Sequence, residues 1–261
     1  MERLVFEEWC NGYKQDLENI RQRACRLHES VNQFYDGDKP YGYHLDRVAG
    51  AVYEYGHLVL LDEKDLLPLF MGAWFHDSIE DARVSYNDVK KLALDLGLNE
   101  EQALIAVEIV YALTNEKGRN RKERAGKRYY EGIRATPYAP FVKMCDRVAN
   151  IRYSCGSYNM GNRRMAKTYE DEMPYFERAI TVETDDIRFL VPQIMIDVVW
   201  GVRAKCYAPL EWRTCAIGVK RVCHWSDSVE PLEWHTVKFS FYFFFFFVRL
   251  RANWVAMVLA K

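Results

Sequence analysis

The sequence lacks a surplus of charge of either sign: 36 Lys and Arg stand against 37 Asp and Glu, a formal net charge of −1. This argues against a protein that coats nucleic acid through bulk charge, and no nucleic-acid partner is expected. Any anionic ligand must instead be met by a local basic cluster. Paired cysteines are lacking too. The seven cysteines (Cys10, Cys25, Cys145, Cys155, Cys206, Cys215 and Cys223) are scattered, odd in number and form no CxxC pair. Neither a zinc knuckle nor a disulfide framework is signalled, and reduced thiols in a cytoplasmic protein are expected. The opening segment Met1–Trp9 is interrupted by Glu2, Arg3, Glu7 and Glu8, with no apolar run after it, so it does not read as a signal peptide. Alternation with a period of two is almost missing, and no internal repeat is visible, which points to an all-α fold.

What is present is helical periodicity. From Met1 to about Tyr35 the apolar residues Leu4, Val5, Trp9, Tyr13, Leu17, Ile20, Ala24, Leu27 and Val31 keep helical spacing, until Asp36-Gly37-Asp38-Lys39-Pro40 breaks it. A second helix is expected from about Tyr43 to Tyr55, with Val48, Ala51, Val52 and Tyr55 on one face. A third spans roughly Lys64 to Ile79 and is strongly apolar from Leu66 to Phe75, the mark of a central, buried helix. Ser85 reads as an N-cap with Asp88 at the capping-box position and Gly97 as the stop. Asn99 caps the next helix, which ends near Leu113. Thr114 to Arg128 reads as a basic loop entering a short helix. Helices are expected again over Pro137–Ser154, Arg163–Ile180 and Ile187–Ala204.

This gives one domain over residues 1–200 and an atypical extension, of unknown structure, over 201–261. The extension holds three cysteines, four tryptophans and the aromatic run Phe239–Val248. That run is about half a membrane span. Arg249 and Arg251 follow at once, and burying both would cost several kcal/mol, so a docking segment is favoured over a membrane contact.

The chemistry gathers in His44, His76-Asp77, Glu80-Asp81 and Asp146. An isolated His-Asp dipeptide means little, but this one closes the most apolar helix of the chain. Buried polar groups there need partners, and a divalent cation would satisfy both at once. Glu80 lies four residues after His76, and Asp81 four after Asp77. If the helix continues, each sits one turn beyond a ligand on the same face. On a helix, Lys143, Asp146, Arg147 and Asn150 also share a face, which makes Asp146 a fourth metal contact. Two imidazoles and two carboxylates suit manganese, iron, zinc or nickel better than magnesium. Such a metal activates water and polarises a phosphoryl oxygen, and Glu80 could orient that water or take its proton. For phosphate there is the basic run Lys117, Arg119, Arg121, Lys122, Arg124, Lys127 and Arg128. Lys39, Lys143 and Arg147 are further candidates because they neighbour ligands in sequence. His28, His57, His224 and His235 have no ligand spacing.

These residues resemble the HD superfamily of metal-dependent phosphohydrolases, and within it the RelA/SpoT-type and small alarmone hydrolase branch. The resemblance rests on Pro40-Tyr-Gly-Tyr-His44, Phe75-His-Asp-Ser-Ile-Glu-Asp81, the Leu113-Thr114 segment, Val142-Lys-Met-Cys-Asp-Arg-Val-Ala-Asn150 and Tyr175-Phe-Glu-Arg-Ala179. It is strongest over residues 20–180, and the extended His-Asp-x-x-Glu-Asp form is its most specific part. It implies an HD-domain helical bundle that removes the 3′-pyrophosphate of guanosine tetra- and pentaphosphate with manganese. His44, His76, Asp77 and Asp146 would be the ligands, Glu80 and Asp81 would position the attacking water, and Asn150 and Tyr175 would contact the nucleotide. The family usually has an arginine that stacks on guanine where Tyr35 stands here, and a small hydroxyl residue where Tyr153 stands. The residues after Ala179 do not resemble a synthetase domain, so a bifunctional enzyme is not expected. Two other readings stay open: an HD nucleotidase acting on another nucleotide, and a non-catalytic nucleotide-sensing module. The base, the metal and the oligomeric state, a homo-oligomer included, are not fixed by the sequence.

Overall fold

The N-terminal apolar spacing folds as two helices, α1 (Arg3–Gly12) and α2 (Lys14–Ser30), in a computed structural model that describes residues 1–115, 119–156 and 160–206. The single helix expected to Tyr35 is broken twice. Tyr13 leaves helical geometry directly after Gly12, a residue that costs a helix about 1 kcal/mol relative to Ala. Asn32 then turns the chain with φ +54°. Residues Phe34–Tyr35 (β1) and Lys39–Pro40 (β2) pair as a small antiparallel hairpin with Tyr35 opposite Lys39. Asp36 and Gly37, at φ +54° and +86°, make its turn, a conformation that Asp and Gly tolerate best.

The centre of the fold is α3 (Gly42–Tyr55) against α4 (Leu66–Phe75). All ten residues of α4 are buried, which matches the continuous apolar run. Gly72 is where α4 meets a neighbouring helix most closely. A Cβ there would stand 2.6 Å from Ile109 Cγ2, closer than carbon atoms can pack. The helix ends with its apolar run at Phe75, four residues before the expected end at Ile79. His76 Nδ1 takes the carbonyl of Ala73 (2.8 Å) and Ser78 Oγ takes that of Phe75 (2.7 Å), so side chains replace the backbone bonds of a further turn. The short helix α5 (Ser78–Asp81) restarts beyond them.

The expected capping box at Ser85 and the expected N-cap at Asn99 are present, the second as a full capping box with Gln102. Ser85 and Asp88 open α6 (Tyr86–Asp95), Asn99 and Gln102 open α7 (Glu100–Leu113), and Gly97 at φ +94° separates the two. α8 (Arg121–Arg124) and α9 (Lys127–Ala135) follow the basic segment. Next come α10 (Ala139–Gly156), α11 (Met160–Ile180) and α12 (Gln193–Cys206). The helix expected from Ile187 starts only at Gln193. A single 3₁₀ turn, Ile187–Phe189, and then Pro192 precede it, and proline favours the first helical turn over its interior. α10 packs on α3, α11 and α12, and α4 on α7, α3 and α2, so both segments that carry the expected ligands lie against α3. The described residues form an all-α helical bundle with that one hairpin, and none of their helices is long and apolar enough to cross a membrane. Cys10, Cys25 and Cys145 are free thiols. Cys155 departs from the expectation of reduced cysteines, being disulfide-bonded; a lone cysteine carries no spacing from which this could be read. The Phe239–Val248 segment and Lys117 lie outside the described residues.

Candidate metal centre

His44 stands in the first turn of α3, His76 and Asp77 at the end of α4, and Asp146 midway along α10. Packing of α3 on both α4 and α10 is what joins residues 32 and 102 positions apart. His44 Nε2 lies 3.4 Å from His76 Nε2, 3.8 Å from Asp77 Oδ2 and 3.5 Å from Asp146 Oδ1; His76 Nε2 lies 2.9 Å from Asp77 Oδ2. The ligand atoms of His44, His76 and Asp77 are all within 4.8 Å of one another. The imidazoles are deeply buried, whereas the Asp77 side chain is 22% exposed and that of Asp146 14%. The cluster therefore opens to solvent on its carboxylate side.

These distances fit a cation. Two donors on bonds of about 2.1 Å stand about 3.0 Å apart at a right angle and about 3.4 Å apart at a tetrahedral angle. His76 gives its Nδ1–H to Ala73, which leaves the Nε2 lone pair facing the cluster. His44 Nδ1 is buried without a hydrogen-bond partner among the described residues. Its ring is held by aromatic packing instead: Tyr35 lies parallel to it, and Tyr41 and His76 meet it edge-on.

The electrostatics agree. Burial alone would lower the His76 pKa, but Asp77 and Asp146 outweigh it and push it up to about 9. Burial and the neighbouring His76 push His44 down to about 4. Burial opposes ionisation of both carboxylates, yet His76 holds Asp77 well below the usual range, and Lys143 and His76 do the same for Asp146. Without a metal, a proton on His76 supplies the positive charge that the two carboxylates demand. A divalent cation can take its place.

Asp146 is fixed from both sides. Lys143 Nζ donates to Oδ2 at 3.0 Å and Asn150 Nδ2 to Oδ1 at 2.5 Å. Burial would deprotonate Lys143, but Tyr129, Asp146 and Asp77 raise its pKa and keep it cationic. Asn150 Oδ1 accepts from Tyr35 Oη at 3.0 Å, so Tyr35, Asn150 and Asp146 form one connected run beside His44.

Other expected site residues are placed elsewhere. Glu80 does not sit one turn above His76, because α4 stops before it. Its carboxylate accepts from Asn115 Nδ2 at 2.7 Å and meets Arg124 at 3.5 Å. Asp81 does keep its turn, its N–H donating to the Asp77 carbonyl at 2.8 Å. Arg147 is buried between α10 and α11, paired with Glu172 at 3.0 Å and lying over Phe176. Lys39 pairs with Asp38 at 3.2 Å and lies near the rings of Tyr43 and Tyr153. Tyr175 is half-exposed in a groove of about 380 Å³ that it shares with Lys127, Tyr130, Arg134 and Arg178; no metal-cluster residue lines it.

Three residues not expected as site residues join the cluster. Tyr41 Oη donates to Asp77 Oδ2 at 2.5 Å and lies 3.4 Å from Asp81 Oδ2. Gln33 Nε2 donates to Asp81 Oδ2 at 2.7 Å, and Gln33 Oε1 is 2.5 Å from His28 Nδ1. Tyr41 sits inside the Pro40–His44 motif, where its side chain could have been noticed. Nothing in the sequence marks Gln33 or His28.

No family model and no curated protein sequence matches the chain. Among solved structures, a metazoan ortholog of SpoT that hydrolyzes ppGpp is similar over 72% of this chain and 95% of its own, with 20% sequence identity and a TM-score of 0.50. At that identity the likeness speaks for the fold, and the cluster lies where the His-Asp pair meets α3 and α10. The chain has the HD-domain fold.

Proposed function

We propose that the chain is a metal-dependent phosphohydrolase of a nucleotide polyphosphate, most simply a 3′-pyrophosphohydrolase of guanosine-3′,5′-bis(diphosphate), with manganese as its metal. The observation that carries this is the meeting of two imidazole nitrogens at 3.4 Å with the carboxylates of Asp77 and Asp146 around them. The fold shared with a ppGpp hydrolase supports the same reading. When bound, such a cation activates water and polarises a phosphoryl oxygen.

The chain's own groups supply the rest. Asp81 is half-buried, and burial together with the charge of Asp77 raises its pKa. A carboxylate made more basic in this way suits the proton that leaves an attacking water. Lys143 keeps its charge beside Asp146 and balances negative charge on the phosphoryl group. Glu80 anchors Asn115 and Arg124, and through them the segment that supplies Arg119, Lys127 and Arg128 to the distal phosphates. Asn150 and Tyr35 border the cluster where the nucleoside would lie. The expected contact of Tyr175 with the nucleotide would have to come from the groove that it shares with Arg134 and Arg178.

A second reading keeps the chemistry and changes the nucleotide. It is favoured by Tyr35 and Tyr153, whose hydroxyls are committed to Asn150 and Asp36. The test is a manganese-dependent assay across guanosine and adenosine tetraphosphates and common nucleotides, reading pyrophosphate against orthophosphate. Release of pyrophosphate from guanosine tetraphosphate, abolished in His76→Ala, is expected. Orthophosphate from another nucleotide would select the second reading, and no turnover on any member would overturn both.

A further inference from the structure

Behind Asp77 lies a closed set of hydrogen bonds that the ligand set does not require. It starts at His28 in α2, a residue 1% exposed whose Nε2 is buried without a partner. The direction of each bond is fixed. Gln33 Nε2 must donate to the Asp81 carboxylate, so Gln33 Oε1 must accept, and His28 Nδ1 is therefore the nitrogen that carries the hydrogen. Both contacts to Asp81 fall on Oδ2. Among the described residues Oδ1 accepts no hydrogen bond. Tyr41 has one hydroxyl hydrogen and lies between two carboxylates, bonded to Asp77 and within reach of Asp81. The two arms close on each other because the His28 ring also stacks on Tyr41, with centroids 4.5 Å apart and planes 19° apart.

A buried imidazole with an unpaired nitrogen is costly, and an apolar side chain would fill the same space more cheaply. His28 is explained by its bond to Gln33 and its contact with Tyr41 together. We infer that His28, Gln33 and Tyr41 are positioning residues for the proposed hydrolysis. His28 and Gln33 hold Asp81 with Oδ1 free to receive a proton, while Tyr41 holds Asp77 in its ligand orientation and screens it from Asp81. The inference rests on the hydrolytic reading, yet half of it concerns metal affinity and stands without turnover.

The experiment has two arms. In calorimetric titration of the metal-free full chain with manganese, Tyr41→Phe weakens binding about 10–100-fold, the usual effect of losing a ligand's hydrogen-bond partner, and Gln33→Leu leaves it unchanged. A Tyr41→Phe protein that titrates like the wild type overturns the role given to Tyr41. In steady-state kinetics, Gln33→Leu and His28→Leu lower kcat at least tenfold at constant KM. His28→Asn, whose Nδ2 can stand where Nδ1 stood, regains most of the loss. A His28→Asn enzyme no better than His28→Leu overturns the positioning of Asp81, because a merely structural histidine would not be rescued by a polar donor. A wild-type protein that turns over no nucleotide sinks the hydrolytic reading, and the titration arm still decides Tyr41.

Discussion

Tyr35 lies flat on His44, the two ring centroids 5.0 Å apart and their planes within 8° of parallel. A metal-binding histidine is ordinarily oriented by a hydrogen bond to its second nitrogen, and His44 Nδ1 has none among the described residues. The tyrosine ring therefore sets the direction of Nε2. Tyr35→Ala is expected to lower manganese affinity about tenfold by freeing the imidazole. Tyr35→Phe keeps the ring and should bind metal like the wild type. Titration of both variants checks this, and equal affinities in the two would remove the ring from the argument.

Metal removal exposes the pH behaviour of the cluster. The His76 pKa in the folded, metal-free protein is about 9, against an ordinary value of 6.5. Its contribution to stability is fully present below pH 6.5 and is lost as pH rises to 9. His44, lowered to about 4, has the opposite sign: its share is present above pH 6.5 and is lost as pH falls toward 4. Thermal melts of the chelator-treated protein should thus fall on both sides of pH 6.5. Manganese replaces the His76 proton, so saturating metal should abolish the alkaline fall, and binding at pH 7 should release close to one proton. Calorimetry in two buffers of different ionisation enthalpy measures that proton. Unaltered melts between pH 6.5 and 9 without metal would contradict the assignment.

How much of this was legible in the sequence depends on how local each feature is. The burial of α4 follows from ten consecutive apolar or small residues, and the N-caps of α6 and α7 from the side-chain oxygens of Ser85 and Asn99. Helix ends set by side chains were less visible. The stop at His76 depends on His76 and Ser78 capturing carbonyls behind them, a choice that periodicity does not encode. It displaced Glu80 from the expected face while the Asp77–Asp81 turn survived. Gln33 and His28 were invisible because their importance comes from reaching Asp81, 48 residues after Gln33. The approach of His44, His76 and Asp77 was open to expectation for the opposite reason: two imidazoles and a carboxylate at buried helix positions call for a shared partner, whether a cation or a proton.

Asp65 and Tyr138 test the scaffold apart from the chemistry. Tyr138 is fully buried and donates to Asp65 Oδ2 at 2.6 Å, while Asp65 Oδ1 has no partner among the described residues. Tyr138→Phe leaves both oxygens of a buried carboxylate unsatisfied, and the expected loss is about 1–3 kcal/mol. Urea unfolding measures it. Turnover per folded molecule should not change, because neither residue contacts the metal cluster; a fall in kcat with unchanged stability would tie this pair to the site.

Glu80 is where two roles can be separated. Its carboxylate holds Asn115 and Arg124, and in the structure it makes no hydrogen bond to His76, Asp77 or Asp81 among the described residues. An anchor for the basic segment affects how firmly the phosphates are held, so Glu80→Ala should raise KM for a nucleotide tetraphosphate severalfold with a smaller change in kcat. A group that handled the attacking water would do the reverse, lowering kcat at nearly constant KM. Arg124→Ala supplies the cross-check: under the anchoring role it also raises KM, and combining it with Glu80→Ala adds less than the two single effects together. A pure kcat loss in Glu80→Ala, with Arg124→Ala silent, would return Glu80 to the water and leave the basic segment without its anchor.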